Sequence, residues 1–568
     1  GQFNYHDAGE GFERTEAHFW MAKRLNDPDL GGYRMNQILQ GNSGTSVYDL
    51  LWYDPAYCNL DVDLPRDGLF DAKVTTATFR SNWTDRGALF GGIHGAYNNV
   101  NHGHVDVGTF VLDALGVRWA CDLGADAYAL PSYMSNPNVY RRRAEGHNTI
   151  VVDPPGRQQG SYFYDQEPNA TGVVEQYVSK DKGGYVVMDI SQTNQKMASA
   201  KRGMFMLPGR EQLLVQDEIE LKSPGDVWWF MHTRTDVTLS TDRRSATLTY
   251  GGKTLNAAIV SPDSSLTFGV MDALPLEGSP VVDGQNQNKG FRKLYINGKD
   301  KKTFEVAVVF TPLPDPGIQP ELPDWRPMEQ WEVPDGPMPA EGKTHLTGIS
   351  LDGQPMEGFY QQQNSYTVKL TPGAVKAPAV TAEFAGGEAD MRITQAKDVN
   401  GTAVISLKDG ETGQTKYYMV EFAVGTMLGV PQGVQSYAIA DAVASDVPQT
   451  ENGTENAYDG DVNTRWSAEG IQYVDFDLGE EKEVGAVSVA WYKGDERSTE
   501  YSVHLSRDGK RWSEVFHGIS LDNTLDYNTT IFEPQQARYV RVTGYGNTLN
   551  AWNSVAETKI FPAVSTED

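Results

Sequence analysis

The chain has 568 residues, a net charge of -28 at pH 7 and 39% hydrophobic residues. This length favours several domains, and so acidic a chain lacks the basic footprint that nucleic-acid binding needs. No apolar run approaches the roughly 18 residues of a membrane span, and two cysteines, Cys58 and Cys121, do not make a disulfide framework.

Residues 1–60 are predicted to form short helices. Residues 16–25 and 33–40 place apolar side chains at helical spacing, and residues 46–52 form a third candidate. Three helices of this length bury little apolar surface by themselves.

Residues 61–320 are predicted to form one large antiparallel β-sandwich. Apolar and polar residues alternate over short runs that are separated by Gly, Asp, Asn and Pro. The clearest runs are 77–82, 149–153, 184–189, 212–216, 227–232 and 303–310. Trp228, Trp229 and Phe230 are predicted to lie in the core or on a sheet face.

Residues 321–344 are predicted to be a linker because prolines recur too often for a helix or a central strand. Residues 345–428 contain short candidate strands, such as 365–370 and 416–422. A small Ig-like or cadherin-like domain fits this length and spacing.

Histidines cluster in the first third of the chain. His94, His102, His104 and His147 are four of the ten histidines. If residues 102–104 are extended, His102 and His104 share one face, about 6.6 Å apart. One could then bind a metal while the other faces a substrate; the alternative is a polar turn with two surface histidines.

The motifs around these histidines resemble those of the heparinase II/III-like polysaccharide lyases, which include heparin, alginate and oligoalginate lyases. They are N-N-x-N-H-G-H-x-D-V-G-T-F at 98–110, R-W-A-x-D-L-G at 118–124 and R-x-E-G-H-N-T at 143–149. The resemblance implies that residues 1–60 end an (α/α) toroid and residues 61–320 form its β-sandwich partner. The rest of the toroid, upstream of Gly1, is therefore an expected partner of this piece.

The resemblance also implies three groups of site residues. They are His104, Asp122 and His147 as ligands of a structural Zn²⁺, Asn101 and His102 as catalytic residues, and Tyr128, Tyr133 and Arg141 as substrate contacts. Two imidazoles and one carboxylate leave a fourth zinc position for water. The arginines at 141–143 are a candidate basic patch for an acidic polysaccharide; the alternative is a solvated strand end.

The reaction implied is β-elimination on a uronate polymer, either alginate or a glycosaminoglycan. The enzyme must neutralise the uronate carboxylate, remove the C5 proton and protonate the leaving O4. The family's main catalytic tyrosine comes from the toroid and has no match here, so we expect this chain to hold half of an active site. A non-catalytic carbohydrate-binding protein and a zinc-dependent hydrolase remain alternatives. The substrate class implies a bacterial protein that is secreted, on the cell surface or in the periplasm.

Residues 429–568 resemble a discoidin or coagulation factor 5/8 C-type jelly roll, as in family 32 carbohydrate-binding modules. The matching segments are 456–466, 474–479, 506–512, 537–542 and 552–557. The resemblance implies a structural Ca²⁺ bound by Ala457 (through its carbonyl), Asp459, Asp461, Thr464 and Glu557, a hard-oxygen set that suits this ion. A plain Asx turn is the alternative. Trp466 and Trp512 are predicted core residues, and Trp491, Tyr492 and Trp552 are candidate sugar platforms.

Overall fold

A computed structural model describes most of the chain. The described residues are 3–9, 16–39, 45–83, 85–95, 97–128, 130, 132–314, 321–338, 343–361, 363–447, 449–521, 524–549 and 551–564. The chain divides into two compact units, Gly1–Gly342 and Lys343–Asp568. Within the described residues, no helix has the length and apolar character needed to cross a membrane.

The three predicted helices are present as α1 (Ala17–Leu25), α2 (Pro28–Leu39) and α3 (Val47–Trp52). Helix α2 begins five residues earlier than predicted because Pro28 takes its first position, where a missing N–H costs nothing. Ser46 and Asp49 form a capping box at α3. Asp49 also accepts two hydrogen bonds from the buried Arg34, at 2.8 and 2.7 Å, which ties α3 to α2. Residue 40 lies outside the described residues.

The first unit is an antiparallel sandwich, as predicted. One sheet has five strands in sequential order: β1 (Asp67–Phe70), β2 (Thr76–Arg80), β3 (Phe90–His94), β4 (Phe110–Ala114) and β5 (Val117–Ala120). The second sheet has ten strands: β6 (Ile150–Val152), β9 (Val173–Lys180), β10 (Gly183–Asp189), β11 (Met197–Met206), β12 (Leu213–Thr233), β13 (Asp236–Leu239), β14 (Ser245–Tyr250), β15 (Lys253–Ile259), β16 (Phe268–Asp272) and β17 (Arg292–Leu313). A separate hairpin pairs β7 (Arg157–Gln159) with β8 (Tyr162–Tyr164).

The core lies between these two sheets. A Cβ added to Gly91 of β3 would lie 2.6 Å from Leu213 of the facing sheet, so the backbone there approaches the core closely. Phe110 packs near Trp229, with ring centroids 6.0 Å apart. Trp229 and Phe230 are fully buried, which confirms their prediction as core residues.

Two strands are longer than the pattern indicates. The runs predicted at 212–216 and 227–232 are the two ends of β12, a single 21-residue strand. The polar stretch between them interrupts the apolar alternation, but pairing with β17 continues through register shifts between Glu220 and Val227. Local hydrophobic periodicity cannot reveal such a strand because its middle section is solvated on both faces.

The loops that follow β3 and β5 carry the histidine motifs, and a buried arginine anchors them. Arg202 of β11 donates two hydrogen bonds to Asp217, at 2.7 and 2.9 Å. Its Nη1 atom donates to the carbonyl oxygens of Gly108 and Asn148, at 2.7 and 2.9 Å. One guanidinium therefore joins two motif loops to the ten-stranded sheet.

Residues 321–338 belong to the first unit rather than forming a free linker. Met328 and Trp331 are buried, and the Trp331 ring lies 5.1 Å from that of Phe205. Trp325 packs against the same cluster. The prolines prevent regular structure, but they do not prevent packing on the sheet. Residues 315–320 and 339–342, also part of the expected boundaries, lie outside the described residues.

The second unit begins with two small sheets, consistent with the predicted Ig-like domain. Their strands are β18 (His345–Leu351), β19 (Gln354–Pro355), β20 (Ser365–Leu370), β21 (Val380–Ala385), β22 (Ala389–Thr394), β23 (Thr402–Asp409) and β24 (Thr415–Val424). The sheet orders are β19-β18-β21 and β20-β24-β23-β22, and β20 runs parallel to β24. Leu346, Ile405 and Phe422 are buried between the sheets.

An eight-stranded jelly-roll region completes the second unit. Its strands are β25 (Met427–Leu428), β26 (Asp441–Ala444), β27 (Trp466–Glu469), β28 (Gln472–Trp491), β29 (Thr499–Ser506), β30 (Ser513–Ile519), β31 (Asn528–Asn547) and β32 (Trp552–Phe561). Trp466 is buried in the core, as predicted, but Trp512 is only half-buried, beneath Arg541. Trp491 is 2% exposed, so its prediction as a sugar platform is wrong.

His517 of β30 is expected to make the stability of the chain depend on pH. Burial opposes its charge, but the carboxylates of Glu500 and Glu514 outweigh burial and raise the pKa of His517 to about 9. Because this value exceeds the ordinary pKa of about 6.5, its stabilising contribution is complete below pH 6.5 and is lost as the pH rises to about 9. Urea unfolding across this range should show a smaller loss of stability in His517→Gln than in the wild type. Parallel curves would contradict the assignment.

Candidate functional site

A seven-residue N-terminal segment, 3–9, lies against the five-stranded sheet and the loop after β5. A Cβ on Gly92 would meet the Phe3 ring at 2.7 Å, so this glycine gives the segment room. The Tyr5 ring stacks on His94, with centroids 4.5 Å apart. The Asn4 side chain donates to the carbonyl of Asp122. These contacts position His6 and Asp7 beside the motif loops.

The carboxylate of Asp7 contacts two histidines and two tyrosines of the site. Its Oδ2 atom lies 2.8 Å from His102 Nδ1 and accepts a 2.7 Å hydrogen bond from the Tyr128 hydroxyl. Its Oδ1 atom lies 3.0 Å from His104 Nε2 and accepts a 2.8 Å hydrogen bond from the Tyr133 hydroxyl. Burial disfavours the charged carboxyl, but these four bonds outweigh it and lower the pKa of Asp7 well below its usual range.

Residues 102–104 do not take the extended geometry that would place His102 and His104 on one face. His102 has a φ of 58°, in the left-handed region, so the two imidazoles do not share a face. The His102 side chain is 50% exposed, whereas His104 is fully buried. Both still reach Asp7, one at each carboxylate oxygen. Asn101 is exposed beside His102.

One ring nitrogen of His104 faces one ring nitrogen of His147. His104 Nδ1 lies 3.2 Å from His147 Nε2. The opposite ring nitrogens face Asp7 and Asp122, and His147 Nδ1 is 3.0 Å from Asp122 Oδ2. Carboxylates there hold the protons on the outer nitrogens, so the facing nitrogens need a cation or a shared proton between them. This donor arrangement fits a metal ion.

The pKa values of His104 and His147 depend on burial and on the carboxylates beside each ring. Burial opposes the charge of His147, but Asp122 and Asp106 together raise the pKa of His147 to about 9. Burial lowers the pKa of His104 to about 4, against the opposing effect of Asp7. Without a metal, the proton between the two rings therefore belongs to His147.

Asp122, an expected metal ligand, contacts His147 through Nδ1, the ring nitrogen that faces away from His104. The group whose ligand atoms lie within 4.8 Å of one another contains His104, Asp106 and His147. Asp106 is fully buried between this group and His6. Two carboxylates, those of Asp122 and Asp106, thus lie near the outer nitrogen of His147, at 3.0 and 3.9 Å.

The arginine triplet does not form an open basic patch. Arg143 is buried and donates to Asp165 at 3.0 Å. Arg141 is half-buried and donates to the side-chain oxygen of Asn288 and to the carbonyl of Ala125. Neither arginine contacts Asp7 or its partners through these bonds. Arg142 is the one that lies against the site, because it donates to the carbonyls of Gly103 and Tyr133.

The two predicted substrate-contacting tyrosines flank Asp7. Tyr128 is 55% exposed, whereas Tyr133 is buried. Burial and the Asp7 carboxylate raise the pKa of Tyr128 to about 12, so its hydroxyl keeps its proton at neutral pH. Tyr133 also accepts a hydrogen bond from the backbone N–H of Asp126, which marks it as a positioning residue.

Asp7, Asp106 and His6 were not among the predicted site residues. The adjacent His6 and Asp7 form an H-D pair in a segment that otherwise looks like a chain terminus. Asp106 lies inside the longest motif, two residues after His104. Polar residues at both places were visible signals, but only folding shows that they meet.

The expected calcium residues of the second unit gather at one loop. Asp459 accepts hydrogen bonds from the backbone N–H of Asp461 and from the Thr464 hydroxyl, both at 2.8 Å. Glu557 is 3% exposed and accepts a 2.8 Å bond from Gly460. Burial raises the pKa of Glu557, so this carboxyl lacks full compensation for its charge. Ala457 is buried at the start of the same loop.

Two family models match the chain. Residues 89–308 match the model described as heparinase II/III-like, C-terminal, and residues 441–558 match the F5/8 type C domain. The chain therefore carries a heparinase II/III-like domain, with its buried histidine site, followed by an F5/8 type C domain. The resemblances read from the motifs are confirmed.

Solved structures resemble separate parts of the chain. The family 32 module of AlyQ, in complex with 4,5-unsaturated mannuronic acid, is 42% identical over 23% of this chain and 99% of that one, with a TM-score of 0.22. Heparan sulfate lyase HepC from Pedobacter heparinus is 13% identical over 72% of this chain, with a TM-score of 0.39. The match spans 48% of that lyase, about half its length. No curated protein matches the chain.

Proposed function

We propose that the first unit cleaves a uronate-containing polysaccharide by β-elimination. The observation that carries this proposal is the pairing of an exposed imidazole with a largely buried, ionised carboxylate: His102 with Asp7. An exposed phenol, Tyr128, shares the same carboxylate. A base, an acid and their common orienting group thus lie together in a heparinase II/III-like domain.

His102 is the proposed base. Asp7 accepts the Nδ1 proton of His102, which leaves the Nε2 lone pair free to remove the C5 proton of the uronate. The exposed Asn101 is the proposed donor of hydrogen bonds to the uronate carboxylate as negative charge develops on it. The electron pair of the C5–H bond forms the C4–C5 double bond, and the C4–O4 bond breaks.

Tyr128 is the proposed acid for the leaving oxygen. Its raised pKa keeps the phenol protonated at neutral pH, and its hydroxyl lies 3.2 Å from His102 Nδ1. The phenol therefore gives its proton to O4 as that bond breaks, and Asp7 stabilises the imidazolium that forms on His102.

A zinc ion is proposed for the pair His104 and His147, with Asp106 or Asp122 as the carboxylate. Two facing ring nitrogens, His104 Nδ1 and His147 Nε2, lie 3.2 Å apart on fully buried side chains and fit such an ion. A bound ion would fix the loop that carries Asn101 and His102, which is a structural contribution. His104 also shares Asp7 with His102, so ligand geometry and the proposed base are physically linked.

Product analysis tests the proposed reaction. The purified chain is incubated with alginate, heparan sulfate, hyaluronan and chondroitin, and near-ultraviolet absorbance is recorded together with reducing ends. A lyase produces an unsaturated uronate that absorbs, a hydrolase produces reducing ends without absorbance, and a binding protein produces neither. New reducing ends without absorbance, or no products on any polymer, would reject β-elimination. The substrate class also leads us to propose a location outside the cytoplasm.

The F5/8 type C domain is proposed to bind carbohydrate and to hold one Ca²⁺ at Asp459, Asp461, Thr464 and Glu557. Adding Ca²⁺ to the chelator-treated chain should raise the melting temperature of one transition by several degrees, because ligand binding stabilises the folded form. Glu557→Gln should abolish that shift. Glu533→Gln, which removes an exposed carboxylate from the same domain, should retain it. A melting temperature indifferent to Ca²⁺ in the wild type would refute the site.

A further inference from the structure

A second group of converging histidines lies beside the first. His6 Nε2 lies 3.1 Å from Asp106 Oδ1 and 3.1 Å from His94 Nε2. His94 Nε2 and Asp106 Oδ1 are 3.9 Å apart. All three side chains are buried, and their ligand atoms form one compact group.

These three separations match the requirements of a tetrahedral metal ion. Zn–N and Zn–O bonds of about 2.0–2.1 Å place neighbouring ligand atoms about 3.3 Å apart. The three observed distances lie on either side of that value. His94 is the last residue of β3, and the ring of Tyr5 stacks on its imidazole. The fold therefore holds the His94 imidazole in place.

Hydrogen bonding alone does not satisfy this group. If His6 Nε2 donates to Asp106, the Nε2 of His94 must be the acceptor atom, and its proton moves to Nδ1. That Nδ1 atom is buried and has no hydrogen-bond partner among the described residues. If His94 Nε2 donates to His6 instead, an imidazole lone pair faces the Asp106 carboxylate. Each proton arrangement leaves one unfavourable contact, whereas a cation accepts all three lone pairs together.

The charge of the region supports the same conclusion. Asp7, Asp106 and Asp122 lie close together with side chains at most 10% exposed. The ion pairs that they make within the described residues are all with histidines. Asp106 Oδ2 has no hydrogen-bond partner there and lies 3.9 Å from His147 Nδ1. Buried carboxylates need compensating positive charge.

We propose that His6, His94 and Asp106 bind a second divalent transition-metal ion, zinc being the best match to two imidazoles and one carboxylate. Asp106 then contributes to both groups, with Oδ1 toward His6 and His94 and Oδ2 toward the His147 side. The site is independent of the proposed elimination reaction, since none of its ligands takes part in that chemistry.

Metal stoichiometry tests this site. The full chain is stripped with chelator, dialysed against Zn²⁺ and analysed by plasma mass spectrometry. We expect about two zinc ions per wild-type chain and about one in His94→Ala and in His6→Asn. Asparagine suits position 6 because the φ there is 58°. The matched control is His232→Asn, which removes a fully buried histidine outside both groups and should retain two ions.

The outcomes separate clearly. A wild-type content of one ion or fewer overturns the second site, even if a ligand variant fails to fold. Two ions in the wild type that persist in both His94→Ala and His6→Asn overturn it as well. A loss of one ion in each variant, with native circular dichroism, supports it. Because the readout is metal content, a chain that binds two ions but cleaves no polysaccharide would reject the proposed reaction and leave this site standing.

Discussion

His102→Ala is expected to lower the rate of polysaccharide cleavage by at least about 10²-fold, the low end for removal of a general base. The imidazole acts at the moment of proton transfer, so the turnover rate should fall more than the Michaelis constant rises. Its side chain is half exposed and lies on a turn, so the fold and the metal content should be unchanged. Steady-state absorbance kinetics on the best polymer provide the measurement.

Neighbouring substitutions sharpen the interpretation of this result. Asp7→Asn should also reduce the rate, because the amide carries no negative charge to stabilise the His102 imidazolium and replaces one of the two acceptor oxygens with an NH2 donor. Asn99→Ala alters an exposed residue of the same loop, whose amide contacts Asn169, and should leave the rate near that of the wild type. Wild-type kinetics in His102→Ala would remove this residue from the active site.

Arg202→Met is expected to destabilise the first unit by about 3–5 kcal/mol, the usual effect of removing one partner from a buried ion pair. The substitution leaves Asp217 as an uncompensated buried carboxylate; burial raises the pKa of Asp217 even when Arg202 is present. It also removes the donors to Gly108 and Asn148, which hold both motif loops. Urea unfolding monitored by tryptophan fluorescence measures the change.

The matched control for this prediction is the preceding residue. Lys201 is on the same strand and pairs with Glu175, but its side chain is 44% exposed. Lys201→Met should change stability by less than about 1 kcal/mol, as expected for a solvent-exposed ion pair. Equal effects at the two positions would show that the guanidinium network does not anchor the loops.

Much of the fold follows from local pattern. Helical spacing marks α1 to α3, and alternation marks strands such as β10 and β20 close to their observed ends. Where a strand crosses solvated or irregular surroundings, as in the middle of β12, that periodicity disappears and the prediction divides one element into two. The same reasoning explains residues 321–338, whose composition indicates a linker although Met328 and Trp331 are buried.

The sequence predicts which histidines belong to the site, but it does not predict which residues they contact. The motifs identify His102, His104 and His147, because imidazoles cluster there. They do not indicate that His102 adopts a left-handed backbone conformation or that Arg142 donates to the carbonyls of Gly103 and Tyr133. The pairing of Asp7 with His102 joins residues 95 positions apart, and such long-range contacts depend on packing that no local pattern encodes.

Residues 3–9 pack on the sandwich, and this packing changes where the heparinase II/III-like domain begins. The family match starts at residue 89, yet Asp7 lies within hydrogen-bonding distance of His102 and His104, and His6 lies 3.1 Å from Asp106. A fragment excised at the start of the match would keep every strand from β3 onward and all the histidine motifs. It would still lose the carboxylate that orients the proposed base. In this protein, the contacts of the buried histidine site therefore begin more than eighty residues before the matched family sequence.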